Sequence, residues 1–296
     1  MMWTKQKRLE PWKPIEVLGV LLALNGSDDG EFERSFNDVT GWCEKVKDSH
    51  LQPHTTYRAL LGTVVKTIDY RLPATQFHKH HCAKLTTTLY KSTLPKLGIS
   101  QKLPVVYRHA PITRDGLGFP DFRLQQLTLH LREILFHSNR NTLNAISFHT
   151  GLELSYLHTG FGSRLWTYDY NRFHSLLPDC EIRYLWGECH HFQITLEGDY
   201  TLPPLEREHD VILIDELIQS EQFYIKAIIQ FNMCRLYLQA LSLSDIVTSD
   251  GKSIEYEYFH GKRIETRGRH ISWPRQSKPP AKSWRTWREV KKHTVD

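Results

Sequence analysis

Histidine, cysteine and carboxylate side chains fall in a few tight groups along this 296-residue chain, and they set the chemistry that is open to it. His78, His80, His81 and Cys82 lie in a helical pattern that puts His78, His81 and Cys82 on one face, and Cys189, His190 and His191 form a second group. Zinc needs four such ligands converging tetrahedrally at about 2.0–2.3 Å, and neither group has the paired spacing of familiar zinc sites. The histidines read as surface groups and the cysteines as small apolar side chains. His78, His81, Cys82, Cys189 and His191 are the candidates if a metal binds. Asp210, Asp215 and Glu216 could gather around two metals for phosphodiester chemistry, which would require residues 210–215 to be a strand in a mixed sheet. Their flanks read as helix. Asp28-Asp29, the one adjacent aspartate pair, stands between Ser27 and Gly30 and reads as a turn and helix cap.

The remaining constellation is cationic and aromatic. Trp273, Trp284 and Trp287 alternate with Arg269, Arg275, Lys278, Lys282, Arg285 and Arg288, which combines phosphate-neutralising charge with flat surfaces for stacking bases. Residues 262–293 hold eleven Lys or Arg against Glu265 and Glu289, a net +9, so the rest of this +5 chain sums to −4. That polarity points to an acidic partner for the tail. A second basic group, Lys5, Lys7, Arg8 and Lys13, precedes the apolar run 17–24. Asn232 and Arg235, three apart on an otherwise apolar helix, read as a buried hydrogen-bonded pair.

The elements that would position these residues are mainly helical with minor β, in four regions. Residues 1–26 read as a hairpin whose apolar strand 16–24 ends in the turn Asn25-Gly26. Residues 27–100 carry three amphipathic helices, at about 31–50, 53–68 and 75–94, which suit a thumb-like bundle. Residues 101–260 read as a second, mostly helical domain with short strands at 105–107, 117–119 and 253–259. Its helices are expected at 121–135, 142–158, 210–218 and 221–243. Residues 261–296 read as an extended basic tail rich in Trp and Pro.

Composition excludes several classes. With 40% hydrophobic residues the chain can bury a core, and its longest apolar run is far below the roughly 20 residues of a membrane helix. No apolar secretion signal opens it. Five scattered cysteines without CxxC spacing fit free thiols in a reducing compartment, so the expected place is inside the cell, in nucleus or cytoplasm, with no membrane partner.

VLGV at 17–20, IDYRLPAT at 68–75, LPKLG at 94–98, DGLGFPDFRLQQ at 115–126 and FNMCRLYLQALSLSDI at 231–246, with a later WP and WRTW, occur in an order that resembles a LINE-like (non-LTR) retroelement reverse transcriptase past its catalytic palm. The resemblance implies a primer grip at Leu18, Gly19 and Val20, then a thumb that holds the duplex, then the distal region. It also implies RNA or DNA as partner, either a single strand or a primer–template duplex. In that family a Tyr-x-Asp-Asp hairpin upstream of the grip holds the catalytic Mg²⁺, and such a motif would precede Met1. The chain is therefore expected to be a non-catalytic fragment that binds nucleic acid, needs no cofactor and does not polymerise DNA alone. The alternatives are a structural or interaction module, or a decayed element without a ligand, and, less favoured, a ribonuclease H-like nuclease.

Overall fold

The computed structural model describes residues 10–138, 140–197, 210–262 and 273–294, with side chains up to residue 290. It divides into two compact units, residues 1–136 and 137–296. The architecture is mainly helical with one small antiparallel sheet, as the patterning predicts. The hairpin, the helices over residues 27–100 and the segment up to residue 136 belong to the first unit, and the C-terminal helix belongs to the second.

The first unit begins with β1 (Ile15–Val17) and β2 (Val20–Leu22), paired in register Ile15↔Leu22, Glu16↔Leu21 and Val17↔Val20. The apolar run is thus a whole hairpin, and its turn is Leu18-Gly19. Asn25-Gly26 lies beyond it, where Asn25 N donates to Pro11 O at 3.0 Å. Four helices follow: α1 (Asp29–Asp48), α2 (Pro53–Gly62), α3 (Val64–Arg71) and α4 (Lys79–Lys96). Phe32, Val39, Leu60, Ile68, Phe77, Leu85, Leu89 and Phe122 form their common core.

The expected helix over 53–68 breaks at Thr63, where φ is −120° and ψ is −86°. Gly62 and β-branched Thr63 are weak helix formers, and the Thr63 hydroxyl is drawn into bonds with Ala59 O and Trp42 Nε1. Helix α4 starts four residues later than expected because the amides before it are claimed elsewhere. Gln76 N donates to Asp28 Oδ2 at 2.7 Å, and Phe77 N donates to Gln126 Oε1 at 3.1 Å. Asp28 occupies the cap position of α1 without capping it, since its carboxylate serves residue 76.

Residues 105–107, expected as a strand, form a single helical turn, α5 (Val105–His109). The returning segment is still tied to it, with Leu117 N donating to Tyr107 O and Phe119 N donating to Arg108 O, both at 2.9 Å. Asp121 then caps α6 (Phe122–Ser138) through Arg123 N at 2.9 Å.

The second unit contains α7 (Leu143–Thr159), capped by Thr142, and α8 (Tyr170–Phe173) and α9 (Glu181–Phe192). It continues with α10 (Leu213–Gln219), α11 (Ile225–Leu238), α12 (Tyr256–Phe259) and α13 (Ala281–Thr294). The expected strand over 253–259 reduces to one bridge, Val247↔Ile254, before α12. The tail, expected to be extended, folds over 281–294 as α13 and packs along α11.

A buried ion pair fixes the first unit. Glu31 has no exposed surface, and Arg71 donates from Nε to Glu31 Oε1 at 3.1 Å, with Ser35 and Asp38 also accepting from its guanidinium. The other Glu31 oxygen accepts Leu21 N of β2 at 2.5 Å, so one carboxylate joins α1, α3 and the hairpin. Arg71→Met would strand that charge and should lower stability by about 3–5 kcal/mol in urea denaturation. A loss under about 1 kcal/mol would contradict the role given to the pair.

Candidate nucleic-acid interface

The residues expected to meet nucleic acid lie on two surfaces, one in each unit. In the first, the hairpin turn stands in solvent, with Leu18 87% exposed and Val17, Trp12 and Leu24 also exposed. Both central residues of the turn have positive φ, 49° at Leu18 and 82° at Gly19, as a two-residue turn matched to strand twist requires. Glycine takes that conformation freely, whereas leucine pays a steric penalty of about 1–2 kcal/mol.

The turn is held from behind. Tyr70 OH on α3 donates to Leu18 O at 2.6 Å, and Arg34 on α1 donates to Gly19 O at 2.8 Å and to Glu16 Oε1 at 3.3 Å. Tyr70 and Arg34 lie off the apolar stripes of their helices, so nothing in the periodicity marks them as the supports of the turn. Val20 is buried beneath it. Of the basic residues before the hairpin, Lys13 is exposed, while Lys5, Lys7 and Arg8 lie outside the described residues.

In the second unit the cations and the tryptophans of the tail part company. Arg275, Lys278, Lys282, Arg285 and Arg288 are exposed, and Arg269 lies outside the described residues. Trp287, expected to stack on bases, has no exposed surface. It stacks on Phe231 with ring centroids 4.5 Å apart and donates from Nε1 to Tyr258 O at 3.1 Å. Trp284 is half-buried and edge-on to Tyr237, with Nε1 donating to Pro279 O. Helical geometry explains the split. Ser283, Trp287 and Val290 make the inner stripe of α13, and the arginines fall on its outer face. Trp273 alone of the three precedes the helix.

The other candidate groups do not assemble into a centre. The rings of His78, His80 and His81 cluster at 4.1–5.9 Å. His81 stacks on Phe32 at 3.9 Å, and burial, followed by the neighbouring His80 and His78, pushes its pKa down. Cys82 is buried, with its Sγ toward Phe77 O. Cys189 is also buried, which pushes its thiol up to about 11, and His191 is exposed on the last turn of α9. Among the described residues no three His, Cys, Asp or Glu groups are arranged to hold a metal ion.

Asp210, Asp215 and Glu216 are likewise separated by their duties. Asp210 accepts from Val211 N and Ser244 N, and Asp215 accepts from Tyr168 OH at 2.7 Å and Gly162 N at 3.1 Å. Residues 213–219 are helical, so the strand that a ribonuclease H-like centre requires is not formed there. Asn232 and Arg235 do pair, with Arg235 Nε donating to Asn232 Oδ1 at 2.7 Å. No helix among the described residues is long and apolar enough to cross a membrane.

The chain matches no family model, no curated protein and no solved structure.

The turn geometry yields a stability prediction. Leu18→Asn places a residue tolerant of positive φ beside Gly19 and should raise stability by about 1 kcal/mol. Gly19→Ala should lower it. Urea denaturation of both variants checks the assignment, and a destabilised Leu18→Asn would show that the side chain of Leu18 supports the fold.

Proposed function

We propose that this chain is the grip, thumb and distal portion of a retroelement reverse transcriptase, non-catalytic by itself, and that it binds RNA or DNA inside the cell, in nucleus or cytoplasm. The observation that carries the reading is the hairpin turn at Leu18-Gly19. A leucine is held at positive φ in open solvent by Tyr70 and Arg34, at the head of a helical bundle. The turn requires positive φ, but leucine is a costly residue to place there, and such strain gathers where a chain meets its ligand. The order of elements, a hairpin with Leu-Gly at its turn followed by helices, is the order that the resemblance implies. Asp28-Asp29, the one adjacent aspartate pair, is occupied at the start of α1, and no other carboxylate pair among the described residues is arranged to hold a metal. The five cysteines are free thiols, as befits a reducing compartment.

An exposed apolar knob favours a second reading, a protein-interaction module. Val105, Val106, Tyr107 and Ile112 are all more than half exposed, on a segment pinned by Arg108 to Leu103 O at 2.8 Å and by Tyr57 to Leu117 O at 3.0 Å. The two readings differ in what binds, and charge separates them.

Trp287 belongs to the core of the second unit, so the tail is tested by removing its charges. If Lys278, Lys282, Arg285 and Arg288 each contact phosphate, log K against log salt on a single strand should slope near −3, from about −0.7 per contact. Replacing all four with serine should take nearly 3 off that slope in fluorescence anisotropy while α13 stays folded. An unchanged slope would remove the tail as the binding surface.

A further inference from the structure

The second unit holds a cavity of about 440 Å³ between the end of α11 and the segment that leads into α13. Tyr237 and Gln239 line it from α11 and its cap, and Trp273, Arg275 and Gln276 line it from the segment. Its walls are set by the fold. The Arg235 guanidinium carbon lies over the Trp273 ring, 5.9 Å from its centroid. Trp284 braces Tyr237 edge-on at 5.9 Å. Gln239 takes the left-handed cap position of α11, with φ 59°, and Ala240 N closes the helix onto Arg235 O at 3.1 Å.

The lining reads as a recognition set. An indole and a phenol offer flat surfaces to a planar ring, two carboxamides offer donors and acceptors to its edge, and an exposed guanidinium offers a partner for an anion. A purely apolar ligand would have no use for the amides and the arginine. A metal would need carboxylates, imidazoles or thiolates, and none lines the space. The volume lies in the lower part of the range of small-molecule sites, about 300–1,000 Å³, which suits one nucleoside. Duplex bases are stacked and paired, so they cannot enter. Beyond Arg275 the exposed Lys278 and Lys282 continue the positive path along the same segment.

We propose that this cavity seats one unpaired nucleotide of a single strand, with its base against Trp273 and Tyr237, its edge on Gln239 and Gln276, and its phosphate on Arg275. The proposal deepens the nucleic-acid reading above and rests on it.

The test uses the full chain and a 12-nucleotide single strand carrying 5-bromouracil. Irradiation should crosslink the strand to Trp273 or Tyr237, mapped by mass spectrometry, and crosslinks confined to other residues would overturn the seat. In anisotropy, Trp273→Leu should weaken binding about 5- to 150-fold, as a lost base stack does, and leave the salt slope unchanged. Arg275→Ala, at an exposed position, should reduce the slope by about 0.7 and keeps the test valid if Trp273→Leu fails to fold. Strand binding that is indifferent to both substitutions would refute the seat and leave the tail reading intact, whereas no strand binding even at low salt would refute both. A blunt duplex of the same length should compete poorly. Displacement by free AMP at equal concentration would assign the seat to a mononucleotide and overturn the strand.

Discussion

A guanidinium taken out of water needs acceptors for its donors, and each unit of this protein gathers several of them around one arginine. In the second unit Arg235 is fully buried, and it donates to Asn232 Oδ1 at 2.7 Å, His158 O at 3.1 Å, Ala240 O at 3.2 Å and Leu157 O. Most of these acceptors are backbone carbonyls, at the end of α7 and just after α11, so satisfying the arginine fixes how the two helices meet. Burial pulls its pKa down to about 9, with Asp245 opposing, which leaves it charged at neutral pH. Gly160 follows from the same constraint. It ends α7 at φ 74°, and a Cβ there would sit 2.8 Å from the guanidinium. In the first unit Arg71 is matched instead by Glu31, Asp38 and Ser35, and the carboxylate of Glu31 reaches on to the backbone of β2.

From these two centres the exposed surfaces take their form. The Glu31–Arg71 pair holds the hairpin to α1 and α3, which brings Tyr70 and Arg34 within reach of its turn and lets Leu18 stand in solvent at an unfavourable φ. In the second unit Arg235 sets the end of α11 and lies over Trp273, while Phe231 of the same helix receives Trp287. The indole of Trp287 therefore works as a core group, and the cations of α13 are left outward. A surface with charge outside and aromatics inside attracts phosphate without reading bases, except at the cavity where Trp273 and Tyr237 meet open space.

Much of this was legible in the residues. Three- and four-residue apolar spacing marks α1, α4, α6, α7 and α11, because each buries one stripe or nearly all of its surface. The isolated pair Asn232 and Arg235 on an apolar helix announces a buried polar contact. What the pattern misses depends on partners distant in sequence. The run 16–24 looks like one strand because after Glu16 it carries no polar side chain, and the turn at Leu18-Gly19 becomes visible only through Tyr70 and Arg34. Residues 105–107 are β-branched and aromatic, yet the turn that follows Pro104 closes as a helix. Trp and Arg alternate in the tail, which suggests an extended interface, but the same spacing at 283, 287 and 290 is an inner helical face. Resemblance to a reverse transcriptase adds an expectation of function that spacing alone does not reach.

The central claim is that nucleic acid meets the hairpin turn of the first unit and the cationic segment leading through α13 of the second. Amide hydrogen exchange of the full chain with and without a saturating single-stranded RNA addresses it most directly, because slower exchange marks the backbone that the ligand covers or steadies. The account predicts slowed exchange over residues 15–24 and 273–290, with α7 and α9 unchanged. Slowed exchange confined to the knob at residues 104–113, or no change anywhere under conditions where the RNA is bound, would contradict it.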